Sequence, residues 1–141
     1  MRCVALLVVL ASGATAAAVS GCGATASADP ADYTGEAKAV ATAVDDLQEA
    51  ISSRDEEELC GRLLAPALVD AIRAKSKQSC EDGLEDGLKD VDDAAIDVPE
   101  NAIAVSGSSA AVTVESGKDD RRDRLTMTKV GGRWKLSALG S

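Results

Sequence analysis

The chain has no histidine and no phenylalanine, and its aromatic residues are one tryptophan and one tyrosine. Without His it lacks the commonest general base, proton shuttle and zinc ligand together. Any catalysis would rest on carboxylates, Lys, Tyr33 or a hydroxyl. Without Phe the core must be aliphatic, and the 45% apolar fraction is indeed made of Ala, Val and Leu. Basic residues are also few: 15 Lys and Arg stand against 24 Asp and Glu, a formal charge of −9. Loss of residues 1–21, whose single charge is Arg2, would leave 14 against 24, or −10. That balance argues against nucleic acid as a partner, since such binding neutralises phosphates with Lys and Arg. It also argues against docking a domain face on anionic lipid, although a covalent anchor would overcome a modest repulsion. At 141 residues the chain has room for one domain.

What is present begins with a leader. Met1 and Arg2 form a short positive region, Val4 to Leu10 ("VALLVVL") an apolar one, and Ala, Ser and Gly follow, the layout of a secretory signal peptide. The run Val19-Ser20-Gly21-Cys22 resembles the lipobox of bacterial lipoproteins. That resemblance implies cleavage before Cys22, a diacylglycerol on its thiol, and an extracytoplasmic domain held at the cell membrane by lipid. Two acyl chains give stable attachment where one gives only marginal binding. The Ala-rich, Lys-poor composition suggests a high-GC bacterium, such as an actinobacterium. Residues 22–35, rich in Ala, Ser, Thr, Asp and Pro, read as the lipidated Cys and a disordered tether. No cofactor is implied.

Residues 36–141 read as a single α+β domain. Val40, Val44, Leu47 and Ile51 recur at helical spacing with Ala39, Ala43 and Ala50 beside them, which predicts one long amphipathic helix. Ser53-Arg54-Asp55-Glu56 has the pattern of a capping box opening a second helix, from Arg54 to about Ala65, with Leu59, Cys60, Leu63 and Leu64 inward. Pro66 interrupts, and Leu68, Val69 and Ile72 mark a further short helix. Ser79 then reads as an N-cap for a helix carrying Cys80, Leu84 and Leu88 on one face with Val91 beside. Gly83 and Gly87 each cost that helix roughly 1 kcal/mol relative to Ala, so it needs tertiary support or a close backbone approach.

Beyond residue 94 the apolar period becomes two. Strands are predicted at 95–98, 103–105, 110–114, 124–129 and 133–139, the last two joined by a Gly131-Gly132 hairpin. Val112, Val114, Leu125, Met127, Trp134, Leu136 and Ala138 would share the inward face. Helices followed by an antiparallel meander define α+β.

The long first helix, the Cys60 and Cys80 pair around Pro66, and the ending "LTMTKVGGRWKLSALGS" resemble small secreted members of the nuclear transport factor two-like superfamily. The resemblance implies N-terminal helices packed on a curved antiparallel sheet in a cone. It does not imply one activity, because that superfamily holds dehydratases, isomerases, carriers and non-enzymatic modules. The polar cone residues of its enzymes have no counterpart on the inward strand positions here.

Cys60 and Cys80 remain once Cys3 is assigned to the leader and Cys22 to the lipid. In an exported protein such a pair reads as a disulfide, with two buried free thiols as the alternative. Glu81, Asp82, Glu85, Asp86, Asp90, Asp92 and Asp93 hold enough oxygens for calcium, but lack the EF-hand order and read as a solvated face, so no metal site is expected. "KDDRRDR", Lys118 to Arg124, reads as an exposed hairpin turn, and Trp134 as a plug of the core. The leading expectation is a non-catalytic interaction or structural module of the cell envelope, contacting another protein or a second copy through its sheet face or loops. The alternative is a carrier or sensor of a small apolar ligand within a cone lined by Val112, Val114, Leu125, Met127, Trp134 and Leu136. A filled cone would favour the first and a roomy apolar cavity the second; an enzyme stands third.

Overall fold

The computed structural model describes residues 29–91, 96–116 and 121–140. The leader, Cys22, Asp92, Asp93 and Lys118 to Asp120 lie outside the described residues. Order begins earlier than the composition of the tether suggests. Asp29 caps a 3-10 turn, Pro30–Asp32, accepting from Ala31 N at 2.8 Å while Asp32 accepts from Asp29 N at 3.0 Å. Tyr33 packs on the core, and its hydroxyl donates to the Pro99 carbonyl at 3.0 Å. A single partly buried ring and one long-range hydrogen bond thus bring a polar, low-complexity stretch into the fold.

Helix α1, Gly35–Ser53, buries Val40, Ala43, Val44, Leu47 and Ala50 along the predicted stripe. It ends at Arg54, whose φ of 56° is left-handed, and Asp55 N reaches back to Ala50 O at 2.9 Å, the 6→1 bond of a Schellman turn. This turn overturns the expected capping box. Ser53 is still inside α1, with Oγ donating to Glu49 O at 2.8 Å, and the cap of the next helix is Asp55, which accepts from Glu58 N at 2.9 Å. The second helix is correspondingly short. Its α-helical part, α2, is Glu56–Glu58, and the chain then widens into a π-turn, Leu59–Leu63, closed by Leu64 N to Leu59 O at 2.9 Å. The wide turn buries Leu59, Leu63 and Leu64 together. Leu64 then bridges to Leu136, and Ala65 N donates to Leu136 O at 2.8 Å, which covers the edge of the sheet.

Pro66 opens α3, Pro66–Ser76, where its missing N–H costs nothing. Helix α4, Cys80–Leu88, starts on the predicted cap, Ser79 Oγ accepting from Asp82 N at 3.1 Å. Val91, expected beside its apolar face, is exposed. Cys60 and Cys80 are joined by a disulfide that ties the π-turn to the start of α4.

The strands are β1 Ile96–Asp97, β2 Ile103–Ser106, β3 Ser109–Ser116, β4 Arg121–Val130 and β5 Arg133–Gly140. They form one curled antiparallel sheet in which β1 and β2 share an edge of β3, followed by β4 and β5. Helices precede the sheet, so the architecture is α+β. Gly131 and Gly132 both have positive φ, 58° and 81°, which a two-residue type I′ hairpin requires. Arg121 to Asp123, expected in a turn, belong to β4. Their alternating charges serve cross-strand pairing, with Arg122 Nε 2.8 Å from Glu115 Oε1.

One irregularity changes which residues face inward. Met127 pairs with Leu136 but Thr126 pairs with Ala138, so Ser137 is an extra residue in β5. Ser137 Oγ donates to Thr126 O at 2.9 Å and accepts from Thr128 Oγ1 at 3.0 Å, giving the bulge hydrogen bonds of its own. Beyond it the alternation reverses. Ala138, expected inward, is exposed, and Leu139 takes the inner face opposite Leu125.

Candidate functional site

The predicted cone lining divides into two parts. Val112, Val114, Met127 and Trp134, each at most 5% exposed, are packed against α1 and close the core. Trp134 Nε1 donates to Glu36 Oε2 at 2.9 Å, and Lys129 Nζ lies 2.7 Å from Glu36 Oε1 and 5.8 Å from the indole centroid. The Lys129 ammonium, and then the Trp134 N–H, hold the Glu36 carboxyl below the usual glutamate range. Trp134 is therefore a plug with its polar atom satisfied, and it borders a separate cleft of about 320 Å³ with Thr42, Asp46 and Arg62.

Leu125 and Leu136 do border an opening. A cavity of about 660 Å³ lies between the other end of the sheet and the helical layer, within the range of about 300–1,000 Å³ usual for small-molecule sites. The sheet side is Ile96, Leu125, Leu136 and Leu139. The helical side is Leu47 and Ile51 of α1, Leu59 and Leu64 around the π-turn, Leu68 and Ile72 of α3, and Leu84 and Leu88 of α4. No aromatic side chain reaches it. Its polar side chains, Lys75, Ser76, Gln78 and Asp86, gather where the end of α3 meets α4. Asp86 is bonded to the Lys89 ammonium, which lowers the carboxyl and raises the amine, and it accepts from Gln78 Nε2 at 3.4 Å. Ser76 Oγ donates to Ile72 O at 2.9 Å.

Each wall has a local cause. The disulfide and Arg54 hold α4 against the start of the helical layer, Arg54 Nη1 donating to Leu88 O at 3.3 Å. Gly83 lets α3 and α4 approach, since a Cβ there would lie 2.8 Å from Ser76 Oγ and 3.0 Å from Ile72 Cγ2. Gly87 also borders the cavity, but a Cβ there would meet nothing within 4 Å. The bulge at Ser137 carries Leu139 to the mouth, where it is 70% exposed, an unusual position for a large aliphatic side chain.

Sequence reasoning placed two of the six candidate lining residues at this cavity, Leu125 and Leu136. It missed the contribution of α3 and α4, whose apolar positions read as ordinary core faces. The two glycines of α4 were the available signal. The acidic face of α4 brings no metal cluster together: among the described residues, no group of three or more Asp, Glu, Cys or His is placed to hold an ion. Glu115 is buried beside Arg122 and lies on the other side of the sheet from the cavity. A scan against protein-family models finds no match, and searches of the curated proteins and of the solved structures find none either.

Proposed function

We propose that this protein binds a small apolar ligand in the aliphatic cavity, as a carrier or sensor tethered to the outer side of a bacterial membrane through a lipid on Cys22. One observation carries the binding reading: an opening of about 660 Å³ walled by Leu and Ile from both layers, with its polar groups confined to one side of the mouth. A solvated cavity of this composition exposes apolar area that folding alone would bury, and a ligand hydrocarbon recovers about 25 cal/mol per Å² covered. The titratable side chains that border it, Lys75 and Asp86, are exposed, so the reading is of binding and not of catalysis. The filled end around Trp134 and Met127 suits an interaction module, but that packing explains neither the cavity nor Leu139.

The anchor reading rests on the Val19 to Cys22 pattern, and the nuclear transport factor two-like reading on the order of helices and curled sheet. From Cys22 to Asp29 there are seven residue steps, a reach of at most roughly 24 Å at about 3.4 Å each. A cavity held so near a membrane would be within easy exchange of its lipids.

The test is binding of 1-N-phenylnaphthylamine, whose fluorescence rises in apolar surroundings, to the full chain and to Gly87→Phe. Binding to the wild type that is lost in Gly87→Phe, with an unchanged far-ultraviolet circular dichroism spectrum, supports the reading. Equal binding by both, or none by either, overturns it.

A further inference from the structure

The mouth of the cavity is not electrically neutral. Residues 71–80, which form the end of α3 and the turn into α4, contain Arg73, Lys75 and Lys77 and no acidic residue, in a chain whose formal charge is −9. Of these, Lys75 borders the cavity, and among the described residues it has no ion-pair partner. Each of the other polar side chains at the mouth has a hydrogen-bond partner. Asp86, the single carboxylate there, is neutralised by Lys89 and takes an N–H from Gln78, and the Ser76 hydroxyl is donated to Ile72 O. One exposed ammonium, without an ion-pair partner among the described residues, therefore stands beside an aliphatic cavity with no aromatic ring to stack on and no polar side chain on its far walls.

We infer that the ligand is a single-chain amphiphile with an anionic head group, a fatty acid being the simplest, whose chain fills the Leu and Ile cavity and whose carboxylate pairs with Lys75 at the mouth. This rests on the apolar-binding reading above and adds the head group to it. Each part of such a molecule meets its physical complement. A buried hydrocarbon chain gains about 0.8 kcal/mol per methylene, and an ammonium with three donors accepts a carboxylate without a fixed geometry. The position at the rim leaves the head partly hydrated, so neither charge bears the desolvation penalty of a buried pair. An alcohol of equal chain length would lose the ion pair, and a quaternary ammonium would be repelled by Lys75.

The experiment is displacement of 1-N-phenylnaphthylamine from the full chain by dodecanoate, dodecanol and dodecyltrimethylammonium, each below its aggregation threshold, at low and at high salt. Dodecanoate is expected to compete about three- to tenfold better than dodecanol, as a charge-assisted hydrogen bond at a wet rim provides. That margin should shrink at high salt. Lys75→Gln should bring dodecanoate down to the level of dodecanol and leave dodecanol unchanged. Lys75→Glu should make the trimethylammonium compound the best competitor of the three. Equal competition by the three head groups, or a carboxylate preference that survives Lys75→Gln, overturns the head-group inference while leaving apolar binding intact. No binding of the naphthylamine at all, or binding indifferent to Gly87→Phe, removes the apolar-binding reading and this inference with it.

Discussion

Gly83 and Gly87 lie one turn apart on the same helix and meet opposite surroundings. A Cβ on Gly83 would sit 2.8 Å from Ser76 Oγ, whereas one on Gly87 would meet nothing within 4 Å. The first glycine is there because α3 passes too close for a side chain; the second faces empty space at the cavity. Both substitutions by Ala gain roughly 1 kcal/mol of helix propensity, but Gly83→Ala must also displace Ser76 and Ile72, an overpacking cost of about 1–3 kcal/mol. Thermal or urea unfolding should therefore show Gly87→Ala stabilised by up to about 1 kcal/mol and Gly83→Ala destabilised. The reverse order would mean that α3 and α4 are not packed as found here.

The disulfide is expected to be worth about 3 kcal/mol, because it closes a loop of 20 residues in the unfolded chain. The two single variants should differ. Cys80 is fully buried and Cys60 only partly, so Cys80→Ser adds a hydroxyl in the core to the lost bridge. Differential scanning calorimetry should place the melting temperature of Cys80→Ser below that of Cys60→Ser, and both below the wild type. Two titratable thiols in the native domain freed of Cys3 and Cys22 would remove the bridge altogether.

Leu139 offers a separation of binding from stability. At 70% exposure it contributes little to folding, so Leu139→Ser should change the unfolding free energy by less than about 0.5 kcal/mol. Apolar probe affinity should fall about threefold or more, by the loss of part of a leucine's 1.5–3 kcal/mol of burial. Val105→Ser, on an exposed apolar residue away from the cavity, is the control and should leave the affinity unchanged.

Glu36 links the first helix to the β4–β5 hairpin, and its carboxyl is held below its ordinary value of 4.5 first by the Lys129 hydrogen bond and then by that of Trp134. A carboxylate whose folded-state value is depressed stabilises the fold fully above its unfolded value and loses that stabilisation as pH falls through the lower one. Melting temperature should thus decline below about pH 4.5, and Glu36→Gln should flatten that part of the profile. Identical slopes for the two proteins between pH 5 and roughly pH 3 would show the pairing to be energetically idle.

For the anchor, Cys22→Ala should either release the protein from the membrane fraction or stall its processing. Intact mass of the mature wild-type protein should carry a lipid increment on a chain starting at Cys22. A mature protein without that increment would leave the cavity reading standing and the membrane attachment wrong.

Much of the fold was legible locally, because helix faces and strand alternation are properties of neighbouring residues. The stripe of Val40, Val44 and Leu47, the Ser79 cap, the Gly131-Gly132 turn and the inward set from Val112 to Leu136 all follow from spacing and backbone preference. The expected capping box at Ser53 failed for a physical reason: Arg54 adopts a left-handed turn, which a non-glycine residue enters only where the surrounding structure compensates. The bulge at Ser137 was equally hidden, since an extra residue is defined against a partner strand and not within its own. That one insertion exchanges Ala138 for Leu139 at the cavity mouth. The cavity itself belongs wholly to the tertiary structure. It is the volume left between the end of α1, the π-turn, α3, α4 and the far end of the sheet when Gly83 brings two helices together and Gly87 adds nothing to fill the gap. The chain alone determined an aliphatic, disulfide-tied α+β domain, because composition and periodicity act over a few residues. Whether its apolar faces would close on one another or leave room for a ligand was decided only by how elements far apart in sequence fit in space.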